Sequence, residues 1–167
     1  MLQPSTISFL KSLKKNNNKP WFDANRKTYE GAKQDFIGFV QKLINETAKK
    51  DKTLVALTAK ECIFRINRDV RFSNDKSPYK TNFGAFICKG GKKSQLAGYY
   101  VHIEPGNCFV GGGLWMPMPP QLAKLRQEID YNFPSFKKII QSAAFKKTYG
   151  SLDMGKDVSL TRVPKGY

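Results

Sequence analysis

Eight residues between positions 65 and 80 concentrate the side chains that could do chemistry. Arg65, Arg68, Arg71, Lys76 and Lys80 supply five cations, Asp69 and Asp75 two carboxylates, and Tyr79 a phenol. Arginine is scarce here, with six in the chain and three of them inside residues 65–71. Lysine suffices for a solvated surface, whereas the planar guanidinium fork grips a carboxylate or phosphate through two parallel hydrogen bonds. An extended backbone places Arg65, Asp69 and Arg71 on one face. Three readings stay open. The cluster binds a phosphate-like or carboxylate anion, or it is an internal ion-pair network neutralised by Asp69 and Asp75, or its carboxylates act as acid or base in phosphoester chemistry.

His102 is the single histidine. On a strand it shares a face with Tyr100 and Glu104, which makes it either an acid/base candidate or a hydrogen-bonded sheet residue. Asp69, Asp75 and His102 are therefore the weak catalytic candidates, and Arg65, Arg68, Arg71, Lys76, Tyr79 and Lys80 the ligand-binding ones. No metal site is expected, because one histidine and three scattered cysteines lack metal-ligand spacing. No cofactor is expected either. Gly111-Gly112-Gly113 is not a phosphate loop, since Leu114-Trp115 follow it. It reads as a strand bulge, a close backbone packing, or a bare backbone that a ligand can approach.

These residues need elements to hold them. The chain has 167 residues, with 29 Lys+Arg against 13 Asp+Glu, a formal charge of +16, and 13% aromatics. That aromatic content argues for a core rather than a disordered basic tail. Length suggests one domain over 1–167. The excess charge is spread along the chain and favours anionic partners in a salt-sensitive way, with nucleic acid a minor alternative. No apolar run approaches a membrane span and no leader is evident, so no membrane contact is expected. Cys62, Cys88 and Cys108, without C-x-x-C spacing, read as reduced thiols in a cytoplasm.

Residues 5–14 read as an amphipathic helix and 20–49 as a long second one, with Pro20 in its first turn and the Asn16–Asn18 run supplying its cap. Glu61–Phe72 alternates and reads as a strand that becomes irregular. Asn82–Lys89, Leu96–Glu104 and Cys108–Trp115 are three strands of an antiparallel meander. Glu104-Pro105-Gly106-Asn107 is a type II reversal. Residues 119–131 and 134–145 read as helices, and Val158, Leu160 and Val163 as a further ordered segment. The fold class is α+β, an antiparallel sheet packed with helices.

The pattern R-x-x-R-D-x-R-F-x-x-[DN]-K-x-x-Y, matched at Arg65, Arg68, Asp69, Arg71, Phe72, Asp75, Lys76 and Tyr79, resembles the signature of an uncharacterised bacterial family, a domain of unknown function. The resemblance extends to Asn17-Asn18-x-x-Trp21-Phe22, to Tyr100-x-His102-Ile103-x-Pro105-Gly106, to the glycine triplet, and to the closing Pro164-Lys165-Gly166-Tyr167. It implies an identity without a mechanism. Members of that family run longer, so the resemblance also implies a C-terminal continuation.

Overall fold

The computed structural model describes residues 1–164 and Gly166. Lys165 and Tyr167 of the closing motif lie outside the described residues. The chain forms two compact units, one ending at Met116 and one beginning at Pro117.

In the first unit, α1 (Pro4–Lys15) starts on Pro4, whose missing N–H costs nothing in a first turn. Its amino end is tied to α3 (Arg26–Thr47) by Asp35, which accepts from the Gln3 backbone at 2.9 Å and from the Thr6 hydroxyl at 2.5 Å. A carboxylate there also complements the helix dipole. Helix α2 (Lys19–Ala24) is capped by Asn18, whose side chain accepts from the Trp21 N–H. The long helix expected over 20–49 is thus two helices. Asn25, at φ −106° and ψ 16°, ends α2 and starts α3. Its side chain donates to the Trp21 carbonyl at 2.9 Å, competing with the helical ladder.

Glu61 accepts from the Thr58 N–H at 2.9 Å and starts the single turn of α4 (Ala59–Cys62). The strand expected from Glu61 onward is not formed. Residues 63–67 make only two isolated bridges, Ile63 with Ala85 and Asn67 with Tyr79. The alternation in this segment lacks a continuous partner, and Phe72, expected on the apolar phase, is 96% exposed.

Strands β1 (Phe83–Ile87), β2 (Gly98–Ile103) and β3 (Phe109–Gly113) form an antiparallel sheet in the order β1-β2-β3. The β2–β3 reversal is the anticipated one, with Asn107 N–H donating to Glu104 O at 2.9 Å and Gly106 at φ +86°. Phe83, Ala85, Ile87 and Val101 face the helices and join Phe9, Leu10, Phe36 and Val40 in one core. The fold is α+β. In register, His102 pairs with Gly84 and Phe109, and Tyr100 with Phe86 and Gly111. These residues occupy the opposite face.

The second unit holds α5 (Pro119–Tyr131), α6 (Phe133–Gln141) and α7 (Ala143–Tyr149). The helix expected to reach 145 stops at Gln141. Ser142 then caps α7 by accepting from the Phe145 N–H at 3.1 Å. Val158, Leu160 and Val163 are exposed and lie in neither helix nor strand, so the further element expected there is not formed.

Candidate functional site

The arginine motif folds as an excursion closed at its base. Arg68 N–H donates to Pro78 O and Lys80 N–H to Ile66 O, at 2.9 and 2.8 Å. Beyond that base the charges are used on one another. Arg71 grips Asp69 with two hydrogen bonds of 2.9 and 2.6 Å. Arg68 donates to Asp75, to the Ser77 hydroxyl at 2.6 Å and to the Ser73 hydroxyl at 3.3 Å. Lys76 donates to the Val70 carbonyl at 3.0 Å. The Ser77 hydroxyl and then Arg68 hold Asp75 well below the usual carboxylate range. Arg71 does the same for Asp69 to a smaller extent.

Tyr79 is buried and stacks on Phe22 with ring centroids 3.9 Å apart. Its backbone N–H and C=O both bond the Asn17 side chain, at 3.1 and 2.9 Å. Two motif fragments sixty residues apart therefore meet, and Tyr79 anchors the excursion to the helices.

Arg65 behaves differently. It forms no ion pair among the described residues. It lines a cavity of about 250 Å³ together with Lys33, Lys92, Tyr29 and Phe64. No carboxylate lines that cavity. Lys33 reaches it from α3, where its ammonium lies 5.6 Å over the Tyr29 ring and 3.4 Å from Glu30. Lys92 comes from the 3₁₀ turn Gly91–Lys93 and donates at 3.4 Å to the Lys60 and Glu61 carbonyls. Sequence reasoning marked Arg65 and missed the two lysines, since nothing local links positions 33, 65 and 92.

The outer face of the sheet carries a larger concavity of about 710 Å³. Its floor alternates glycine with rings. Gly98, Gly111 and Gly113 lie beside Phe86, Tyr100 and Phe109. Phe64 and Lys80 form part of its wall, so Phe64 borders both cavities. Nothing lies within 4 Å of a Cβ placed at Gly111 or Gly113, so the glycine triplet is not a close packing. Gly98 is the opposite: a Cβ there would stand 2.6 Å from Cys88 Cβ and from Ile87 O. The signal available in the sequence was phase, because Gly84, Gly98, Gly111 and Gly113 all fall on the His102 face.

At one end of this trough Tyr100, His102 and Glu104 do share a face. Tyr100 Oη lies 3.0 Å from His102 Nδ1, and Asn82 Nδ2 lies 3.4 Å from the same nitrogen. His102 Nε2 faces Glu104 Oε2 at 3.5 Å. Glu104 also accepts from the Thr81 hydroxyl at 2.8 Å, which with His102 and Lys14 holds its carboxyl below the ordinary range. A carboxylate at Nε2 puts the proton there and leaves Nδ1 to accept. Phe109 stacks on the imidazole at 4.7 Å. Burial pushes the Tyr100 hydroxyl pKa up, so it stays protonated. Lys80 sits 5.5 Å over the Phe64 ring, and burial followed by the Arg65 charge lowers its pKa.

Asp69 and Asp75 line neither cavity. No group of three metal-capable side chains occurs among the described residues. No helix among them is long and apolar enough to cross a membrane. Cys62, Cys88 and Cys108 are free, and burial raises Cys62 to about 11, which keeps it an unreactive thiol.

The fold and these two cavities define a basic α+β protein with a cation-lined pocket, in which Lys33 is paired with Glu30, beside an aromatic trough. Its family follows from comparison. The model of DUF2461, described as a conserved hypothetical protein, matches residues 5–167, and the chain belongs to that family. No curated protein and no solved structure matches it.

Proposed function

We propose that this protein binds a phosphate-type oxyanion in the pocket formed by Lys33, Arg65 and Lys92. The observation that carries the reading is the convergence of three cations from three separate elements on a cavity of about 250 Å³ that no carboxylate lines. Glu30 offsets the Lys33 charge from outside the cavity, and an anion within it would meet Arg65 and Lys92 directly. Of the arginines, Arg65 alone in the motif is without an ion-pair partner among the described residues, while Arg68 and Arg71 are engaged by Asp75 and Asp69. Asp69, Asp75 and His102 do not line this pocket, which favours binding over phosphoester turnover there.

The test is a thermal-shift and calorimetric titration with inorganic phosphate and sulfate at low and moderate salt. A ligand of the native state raises Tm by mass action. Phosphate is expected to raise Tm at both salt concentrations. Arg65→Ala is expected to weaken binding about tenfold or more, the ~1.5–3 kcal/mol of a charge-assisted hydrogen bond. Arg71→Ala is expected to leave it unchanged. A shift that vanishes at moderate salt, or survives intact in Arg65→Ala, overturns the reading.

A further inference from the structure

The trough on the outer face of the sheet is not needed to hold a bare oxyanion, yet it adjoins the pocket that would. Phe64 lines both. The Lys80 ammonium lies 5.5 Å over the Phe64 ring and lines the trough, while Arg65, next to Phe64 in the chain, lines the pocket.

The shape of the trough is set by glycines. On the outer face, the place of a side chain at Gly98 is taken by Cys88, the Ile87 carbonyl and the Phe86 ring, whereas side chains are missing at Gly111 and Gly113 with open space over both. Their absence leaves a flat slot flanked by the rings of Phe86, Tyr100 and Phe109, with the exposed indole of Trp115 at its border. Flat slots walled by aromatic faces favour planar π-systems, which stack in offset geometry without demanding a particular hydrogen-bond pattern. An aliphatic body would fill such a slot less completely.

Besides Lys80 and His102, the Tyr100 hydroxyl lines this slot, and its hydrogen-bonding sense is fixed from behind. Glu104 orients His102 so that Nδ1 is the acceptor. Tyr100 spends its hydroxyl proton on that nitrogen at 3.0 Å, and Asn82 approaches the same atom at 3.4 Å. Both ring nitrogens of His102 are thereby occupied within the protein. The Tyr100 oxygen is left with lone pairs only, so it accepts a hydrogen bond and selects a donor. Its position depends on Gly84, where a Cβ would come within 3.0 Å of the hydroxyl.

Resting on the oxyanion reading above, we infer that the ligand is a nucleotide: its phosphate sits in the pocket of Lys33, Arg65 and Lys92, and its base, bearing an amino group, reaches past Phe64 and Lys80 to stack in the glycine-floored trough within reach of Tyr100 Oη. A free mononucleotide and the 5′-phosphorylated end of a nucleic acid share this chemistry.

The experiment is calorimetric titration of the whole chain with inorganic phosphate, ribose 5-phosphate, AMP and 5′-phosphorylated tetra-adenylate at moderate salt. AMP is expected to bind about tenfold or more tighter than ribose 5-phosphate, the increment of one stacked base. Gly111→Val places a side chain in open space and so leaves the fold intact. It is expected to abolish the AMP advantage while ribose 5-phosphate binds as before. Tyr100→Phe is expected to reduce AMP affinity several-fold and leave ribose 5-phosphate unchanged. Should ribose 5-phosphate bind through Arg65 with AMP no tighter, or should Gly111→Val leave AMP unaffected, the nucleotide inference falls and the oxyanion reading stands. Should neither phosphate nor ribose 5-phosphate bind, both fall. Tetra-adenylate far tighter than AMP, with the advantage sensitive to Gly111→Val, names a nucleic-acid end as the source. Equal affinities name the free nucleotide.

Discussion

The two faces of the sheet are made from alternate residues of the same three strands, yet they are built on opposite principles. On the inner face Phe83, Ala85, Ile87 and Val101 are at most 5% exposed and meet α1 and α3 through ring contacts such as Phe36–Phe83 at 5.2 Å. Close packing leaves no room there for anything but the protein itself. On the outer face glycines alternate with rings, and the polar side chains Tyr100, His102 and Glu104 bond one another. Stability resides in the first face. The second is held in shape by the first and leaves a concavity open to solvent. A three-stranded sheet gains this division because side chains alternate strictly across it, so one face can fill the core while the other stays open.

The sharpest way to break this comparison is to cut equivalent rings from both faces. Phe36→Ala is expected to cost about 3–5 kcal/mol of unfolding free energy, the usual loss for a buried phenylalanine. Phe109→Ala, at a half-exposed site, is expected to cost about 1 kcal/mol or less. Urea unfolding of both variants measures the difference, and comparable losses would mean that the outer face is core after all.

Glycines give the next largest contrast. Gly98→Ala drives a methyl into the β1 backbone and Cys88, and a loss of about 1–3 kcal/mol is expected. Gly111→Ala meets nothing within 4 Å and is expected to change stability by about 0.5 kcal/mol or less. Equal effects in thermal melts would show that the glycine triplet is a packing device.

The smallest expected effect separates the motif excursion from both faces. Asp75 has its folded pKa depressed below the unfolded value of about 3.9. Its contribution is therefore present above that pH and is lost as pH falls through the range below about 4. Asp75→Asn and Arg68→Ala are each expected to flatten the fall in stability over this acidic range, read from unfolding curves at successive pH values. An unchanged slope in both variants would mean that the Arg68–Asp75 contact does not stabilise the fold.

Much of the architecture was legible in local rules. The Glu104–Asn107 reversal follows from proline and glycine at the central turn positions, and with it come the two strands it joins. The shared face of Tyr100, His102 and Glu104 follows from the twofold period of a strand. The capping of α2 from within the Asn16–Asn18 run is equally local. The failures were of one kind. Alternation over Glu61–Phe72 could not reveal that no strand would pair with it beyond Asn67. Helical periodicity across Asn25 could not reveal a side chain that caps the preceding turn.

The candidate site divides along the same line. The arginine cluster announced itself by composition, and its density of charge was real. Which of its members would be left unpaired was decided by tertiary structure: Arg68 and Arg71 found Asp75 and Asp69 inside the excursion, Tyr79 entered the core, and Arg65 turned toward Lys33 and Lys92. The sequence by itself determined the α+β class, the three-stranded meander and the residues that share its outer face, because turns and strand alternation depend on neighbours a few positions apart. Only the folded chain decided the cationic pocket and the trough beside it, because both are assembled from residues whose separations along the chain carry no record of their distance in space.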